Sequence, residues 1–569
     1  MSDEEDTTIL LSGKNSGRGL CEPSMSVQHQ TLSKDSQNVV CVNSRNHAVV
    51  ATFVGILGGI AFGYDMGFSL NVFTQVKQFY SLTCMEQYMI RSVWLIGALF
   101  ASAVGGIVID GCGRRWTICC TAILLVLGLA ISAAGNSYPL LLCGRLVSGF
   151  GGSLSAVAQC IYAAELSDAH VRGRSVSVHQ LGAAMGFLLA CVAGAADNID
   201  WKMLVWLGTI PVIIEGLLAA FFLPRSPHFT LLQMSQTTQI KRPSVWCAAG
   251  NLVETFVLAL GLVFFQQFSG LYSVLTYAPR LFVLLGVCPD IAPSVANITF
   301  GIIKVCATFL SLCAVDRVGR RPSLIVSATC MMTSIALLGV FSAVEESEIV
   351  LLLDTKLEPC GVIESGGSLV PSPEDISSQL LPAGTPPYPY LPTPVSLIAR
   401  DSWSDLNPCS EVSSVLSPGL RYLAMFTLLC YESAFAFGLG PVVWLLLAEL
   451  FPAAARGRAV ALTMCLHWLA DFIIPATFVG FLDVFSLGGS FLFFSMICLF
   501  CISFVFLFVP ETKGKSLHQI AQELKNVSPK TRMFQNLQGL PCLSKSEWLL
   551  HKARQYRQVS HSGVESTVI

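Results

Sequence analysis

Apolar stretches long enough to cross a bilayer recur along this chain, separated by short polar connections. An α-helix rises about 1.5 Å per residue, so roughly 20 apolar residues span a hydrocarbon core of about 30 Å. Such stretches lie near 49–71, 90–110, 117–136, 139–161, 178–198 and 203–223. Six more lie near 252–280, 294–315, 322–344, 421–448, 459–483 and 489–509. They predict an all-α membrane protein of twelve transmembrane helices, six and six, with both termini on one side.

The polar positions divide the chain further. Residues 1–47 read as a disordered N-terminal tail, 48–223 as a first six-helix bundle, and 224–250 as a short linker. Residues 251–510 form a second bundle and 511–569 a C-terminal tail. Within the second bundle, 345–420 is a long loop rich in Pro, Ser and Gly, too poor in apolar surface to fold alone. Asp6 to Leu11 in the first tail fits an acidic di-leucine signal, so sorting adaptors are expected partners there.

Basic residues orient the spans. Arg114, Arg115, Arg172, Arg174, Arg225, Lys241, Arg242, Arg317, Arg320, Arg321, Arg456 and Arg458 gather on one side, against Lys77 and Lys202 on the other. The basic side is expected to be cytosolic, together with both termini. The 345–420 loop is then external, where oxidising conditions allow Cys360 and Cys409 to pair.

One stretch departs from a plain apolar helix. Gly438-Leu439-Gly440-Pro441 interrupts the tenth span, Trp444 follows, and Glu449, Arg456 and Arg458 close it. Proline removes a backbone donor, and carbonyls freed inside a bilayer must face protein or a water-filled cavity. A broken helix running into a charged cluster predicts a transport path gated at one end.

Composition narrows the class. The chain is 53% hydrophobic and 12% charged, about half the charged share of a soluble protein. A net charge of −2 offers no argument for a nucleic-acid partner. Most of the 21 cysteines sit inside apolar runs and none has zinc-ligand spacing, so neither metal nor cofactor is expected.

The charges at the span ends repeat. Asp110-Gly-Cys-Gly-Arg114-Arg115 follows the second span, and Asp316-Arg-Val-Gly-Arg320-Arg321 follows the eighth. Glu165 precedes Arg172-Gly-Arg174 by seven residues, and Glu449 precedes Arg456-Gly-Arg458 by seven. The second Asp-to-Glu separation exceeds the first by about the length of the 345–420 loop. The halves therefore read as a duplication with one insertion. Arginine pairs carboxylates bidentately. Asp110, Arg114, Arg115, Glu165, Arg172, Asp316, Arg320, Arg321, Glu449 and Arg456 are the candidate cytosolic gate. Such a latch is expected to be only a few kcal/mol deep, so that it can open.

With these motifs the chain resembles the sugar-porter branch of the major facilitator superfamily, over roughly residues 48–520. The resemblance rests on Gly63-Tyr64-Asp65, the two D-x-x-G-R-R copies, Gly144-Arg145, the paired Glu and Arg-Gly-Arg motifs and Gln180. It continues in Gln266-Gln267-Phe268-Ser269-Gly270, Gly440-Pro441-Val442-Val443-Trp444 and Pro510-Glu511-Thr512-Lys513-Gly514. The long loop before the tenth span looks like the third class of facilitative glucose transporters, the type 10 and type 12 members. The resemblance implies two six-helix bundles around a central sugar site, alternately open to each side of a lipid bilayer. No bond is made or broken, so no enzyme is expected, and a monomer is the expected functional unit.

The resemblance also implies the substrate contacts. Gln180, Gln266 and Gln267 match amides that bind sugar hydroxyls, a task suited to groups that both donate and accept. Trp444 and Trp468 match aromatics that stack on a sugar face. Three site positions and one cytosolic motif depart from the family. Tyr272 stands near an expected asparagine, while His467 and Asp471 replace two asparagines flanking Trp468. Pro224-Arg225-Ser226-Pro227-His228 replaces the family's P-E-S-P-R and reverses one charge.

Asp65 poses the mechanistic question. An intramembrane carboxylate is expensive unless paired or protonated. Opposite Arg145 it is either a static tie between helices or a proton-coupling site. The expectation is facilitative transport of a hexose. Proton-coupled hexose or polyol symport and a non-transporting sugar sensor are the alternatives, with dehydroascorbate and urate open as substrates.

Overall fold

The computed structural model describes residues 34–71, 73–196, 199–224, 252–284, 288, 291–344 and 418–538. The di-leucine sequence, most of the linker, the long loop with Cys360 and Cys409, the chain beyond Gln538 and the Tyr272 side chain lie outside the described residues.

Among the described residues, twelve helices are long and apolar enough to cross a membrane. The first six are Val49–Phe68, Met89–Cys112, Arg114–Ala134, Tyr138–Leu166, Arg172–Gly194 and Trp201–Phe222. The second six are Leu252–Leu275, Ala292–Val318, Arg320–Ser342, Tyr422–Leu450, Arg456–Phe478 and Val484–Phe508. They form two six-helix bundles. Their outer surfaces expose Phe53, Phe100, Ile107, Ile123, Phe221, Phe309 and Phe426. Water would penalise so wide an apolar surface, whereas a bilayer accepts it. Polar side chains such as Asp65, Arg145, Gln266, Gln267 and Glu449 are buried inside.

In the first bundle, the first span packs on the fifth and sixth, and the fourth on the second and third. Across the interface, the second span meets the eleventh and the fifth meets the eighth.

Two local differences from the apolar pattern matter. The fifth and eleventh spans start at Arg172 and Arg456, about one turn or more before their apolar runs. Apolar runs stop at charges, but helices do not, and the arginines here open the first turn. The seventh span is also interrupted. Its helix Leu252–Phe268 ends before Gly270 and resumes as Leu271–Leu284. Gly270 adopts φ 93°, a left-handed conformation that side chains resist. The tenth span breaks at Gly438, between Pro418–Phe437 and Leu439–Leu450.

The first helix already begins at Lys34, inside the stretch expected to be disordered. Part of the expected C-terminal tail is ordered too. Leu517–Asn526 opens with a capping box in which Ser516 and Gln519 satisfy each other's backbone donors. Leu517, Ile520 and Leu524 are buried, and the helix packs on the second segment of the tenth span.

Candidate functional site

The charge cluster forms a two-fold repeated latch. Glu165 Oε1 accepts from Arg114 of its own bundle at 3.0 Å and from Arg456 of the other at 3.3 Å. Glu449 Oε1 accepts from Arg320 of its own bundle at 3.1 Å and lies 3.9 Å from Arg172 of the other. The two aspartates cross in the same way. Asp316 accepts from the backbone N–H groups of Gly173 and Arg174, at 3.0 and 2.9 Å. Asp110 accepts from the Arg458 backbone N–H. Each acid thus caps the first turn of a helix in the opposite bundle, where unpaired N–H groups and the helix dipole favour a negative charge. Glycine is required at both contacts. A Cβ at Gly173 would sit 2.3 Å from Asp316 Oδ1, and one at Gly457 2.3 Å from Asp110 Oδ1.

Arg115 and Arg321 sit elsewhere. Arg115 donates to the Ala220 carbonyl, and Arg321 to the Phe506 carbonyl at 2.6 Å. Each ties the third helix of its bundle to the sixth. Neighbouring helix residues point about 100° apart, so only one arginine of each pair faces the opposite bundle. Sequence reasoning missed Glu511 and Thr512. Glu511 accepts from the Arg320 and Arg321 backbone N–H groups, both at 3.1 Å, and Thr512 donates to Glu449 Oε2 at 2.6 Å.

At mid-membrane, the breaks in the seventh and tenth spans satisfy each other. Gln266 Nε2 donates to the carbonyls of Leu439 and Gly440, at 2.9 and 3.1 Å. The Tyr431 hydroxyl donates to the Ser269 carbonyl at 2.8 Å. From the ninth span, Ser327 donates to the Ala434 carbonyl at 2.7 Å and accepts from the Leu439 N–H at 3.1 Å. Every one of these groups would be costly if left bare in a bilayer.

This clamp leaves the amide oxygens. Of the two ends of an amide side chain only the NH2 can donate to a carbonyl, so the Gln266 amide is held with Oε1 turned away, and that atom is buried without a partner. Gln267 Nε2 donates to the His467 carbonyl at 3.0 Å and to Asp471, again leaving a buried Oε1 unpartnered. His467 Nδ1 and Trp468 Nε1 are likewise buried without partners. His467 Nε2 stands 3.7 Å from Asp471 Oδ2, beyond hydrogen-bond reach. Its ring packs edge-on against Trp444 at 5.5 Å and Trp468 at 4.7 Å. Each orphaned polar atom costs about 1–3 kcal/mol unless something binds it. Two acceptors, an indole donor and an imidazole nitrogen beside aromatic rings are complementary to a polyhydroxylated ring.

The first bundle adds less. Gln180 is half-buried and makes no hydrogen bond among the described residues. Its neighbour His179 donates to Gln159 Oε1 at 3.0 Å, and Gln159 donates to Glu215 at 2.6 Å. Phe62 packs between His179 and Trp468, at 6.0 and 6.2 Å. Asp65 is paired. Its Oδ1 accepts from Arg145 and its Oδ2 from the Trp94 indole, both at 2.6 Å. Glu215 and Glu432 were readable as acids inside apolar runs; Trp94 and Tyr431 carried no such signal. At the end of the bundles opposite the latch, Cys288 is disulfide-bonded.

Comparison with known proteins bears on the family and the fold. A family model described as "Sugar (and other) transporter" matches residues 51–243, 233–355 and 408–524. The human solute carrier family 2, facilitated glucose transporter member 10 is 32% identical over 83% of this chain and 92% of its own length. Member 10 of Xenopus laevis is 30% identical over 88% of this chain and 98% of its own. Human member 12 is 31% identical over 84% and 85%. Among solved structures, the proton:xylose symporter XylE bound to 6-bromo-6-deoxy-D-glucose superposes with a TM-score of 0.63 at 24% identity. It covers 84% of this chain and 99% of that one. An inward-open form of XylE from E. coli gives 0.53 at 23% identity, with 84% and 99% covered. At that identity the likeness concerns the fold alone.

Proposed function

The chain belongs to the sugar (and other) transporter family, and on that premise we propose that it carries a hexose passively across a membrane by alternating access. The sugar is bound and released unchanged, and the protein is not an enzyme. The observation that carries the reading is the set of orphaned polar atoms on Gln266, Gln267, His467 and Trp468, beside the Trp444 ring. A hexose hydroxyl both donates and accepts, so one ligand satisfies oxygen and nitrogen atoms together. Gln180 serves the sugar from the opposite bundle, and Tyr272 lies just beyond the seventh-span break.

The latch face is cytosolic by its excess of arginine. The cross-bundle pairs hold it shut in this conformation, so sugar enters from the opposite side. Opening inward breaks Arg172–Glu449 and Arg456–Glu165. Each glutamate then keeps the arginine of its own bundle, which avoids the severe penalty of a bare buried charge. The opening cost stays within a few kcal/mol, a range that differential binding of sugar can move. The segments beyond the two breaks, Leu271–Leu284 and Pro418–Phe437, are the gating elements on the outer side. The protein works as a monomer in the plasma membrane or endomembranes, with adaptors reading Asp6 to Leu11.

The test is uptake of labelled D-glucose into liposomes holding the purified protein. Passive transport brings internal glucose to the external concentration and no higher, with or without an inward proton gradient. Accumulation above that level, driven by the gradient, overturns the passive reading.

A further inference from the structure

A carboxyl group inside a transporter's span is by default a candidate proton or ion relay. Besides Asp471 of the candidate site, three such acids stand in different company here. Glu215 is approached by neutral donors, Gln159 at 2.6 Å and Ser155 at 3.3 Å. Glu432 has a buried Oε2 without a partner. Asp65 has each oxygen taken by a short N–H donor, Arg145 on one and Trp94 on the other.

The second donor is unusual in its placement. Trp94 lies on the second span and is 4% exposed. Its indole edge points at Asp65, while its ring meets Trp468 of the other bundle at 5.6 Å and 78°. Phe62 closes the third side at 5.9 Å. An indole N–H only donates, so the oxygen it holds is offered a proton donor and no acceptor. The same ring thus holds Asp65 through its N–H and meets Trp468 through its face or edge.

We infer that Trp94 is a positioning residue that keeps Asp65 out of proton traffic, its indole holding Oδ2 while Trp468 of the opposite bundle holds the indole in place. The inference rests on the passive hexose reading. It identifies what makes a carrier with an intramembrane aspartate passive: the second carboxylate oxygen is spent on a side chain rather than left for a proton.

Other charged or titratable groups surround this point. Arg145 faces Asp65 from the fourth span, and Arg91 lies one turn before Trp94 on the second. His179 and Glu215 belong to the Gln159 network of the fifth and sixth spans. Across the interface, His467 and Asp471 flank Trp468. A pH effect that belongs to Asp65 must therefore vanish when Asp65 is replaced.

The experiment uses liposomes holding the full chain as wild type, Trp94→Phe, or Trp94→Phe with Asp65→Asn. Phenylalanine keeps an aromatic ring against Trp468 and removes the N–H. Labelled D-glucose uptake and glucose-dependent acidification of the lumen are both recorded. Wild-type uptake is expected to be flat between about pH 7.5 and about pH 5.5 outside. Trp94→Phe is expected to rise roughly tenfold over that interval, the scale of one lost charge-assisted bond, and to carry protons inward with glucose. The double variant is expected to be flat again while still moving glucose, which also shows that it folds. The inference is overturned if Trp94→Phe is as flat as wild type, or if its pH dependence survives in the double variant. A wild type that moves no glucose overturns the passive hexose reading itself, and this inference with it.

Discussion

The first and fourth spans of the N-terminal bundle run unbroken, whereas their counterparts by position, the seventh and tenth, are each interrupted at mid-membrane. The charged ends of the same helices are nearly interchangeable, with Glu165 and Glu449 each shared between one arginine of their own bundle and one of the other. Duplication has thus kept the latch and let the middles diverge. The N-terminal bundle buries polar networks that bond mainly among side chains, Asp65 with Arg145 and Trp94, and Gln159 with His179 and Glu215, whose Oε2 alone of these carboxylate oxygens stays unpartnered. The C-terminal bundle spends Gln266, Tyr431 and Ser327 on its own broken backbone and leaves acceptors open. A continuous helix satisfies its own backbone and stays stiff. A broken one needs outside donors, and here the proposed ligand site lies beside the joint those donors hold.

The largest expected effect comes from removing the donor that serves both purposes. Gln266→Ala strips two carbonyls of their partner and removes one open acceptor, and should weaken hexose binding about a hundredfold, or roughly 3 kcal/mol. Gln159→Ala in the other bundle should change hexose affinity by less than about threefold, although it loosens the fold. Equilibrium binding of labelled D-glucose compares the two directly. Equal losses would mean that the broken bundle does not carry the site.

Gly173→Ala and Gly457→Ala probe what the halves share. Each places a Cβ 2.3 Å from a partly buried carboxylate oxygen across the interface, so each should open the latch by a similar amount. Accessibility of an engineered cysteine on the latch face to a membrane-impermeant thiol reagent would report it. A strong response in one half alone would break the symmetry.

Smaller effects separate the halves at their edges. Thr512→Val removes a 2.6 Å hydrogen bond to Glu449 and should weaken the closed latch by about 1.5–3 kcal/mol, read as faster thiol labelling. Smallest is Arg225→Glu. Arg225 holds the place in the repeat that Glu511 holds in the second half, where the acid caps the ninth span. An acid there should stabilise the latch by about 0.3–1 kcal/mol through the helix dipole of the third span. Slower labelling is the expected sign, and faster labelling would contradict the equivalence.

Much of this was legible before any coordinates. Twelve apolar runs give twelve spans, and the duplicated Asp, Glu and Arg positions mark residues that pair across the two bundles. What escaped has physical reasons. Run-length reasoning stops at charges, so it missed that Arg172 and Arg456 begin their helices. Glycine is common in membrane helices, so Gly270 did not announce a break. Adjacent arginines look equivalent in a sequence, but the helical turn sends Arg115 and Arg321 away from the interface. Trp94 and Tyr431 are single aromatics in apolar runs, and only three-dimensional contact reveals their partners.

The central claim is that one site is exposed alternately to the two sides and moves sugar without another energy source. Counterflow tests it most directly. Liposomes holding the protein are loaded with unlabelled D-glucose and diluted into a trace of labelled D-glucose, with no ion gradient. The account predicts that labelled glucose transiently rises above its external concentration and then decays as the unlabelled gradient runs down. A monotonic approach with no overshoot, or an overshoot that appears only under an imposed proton gradient, would contradict it.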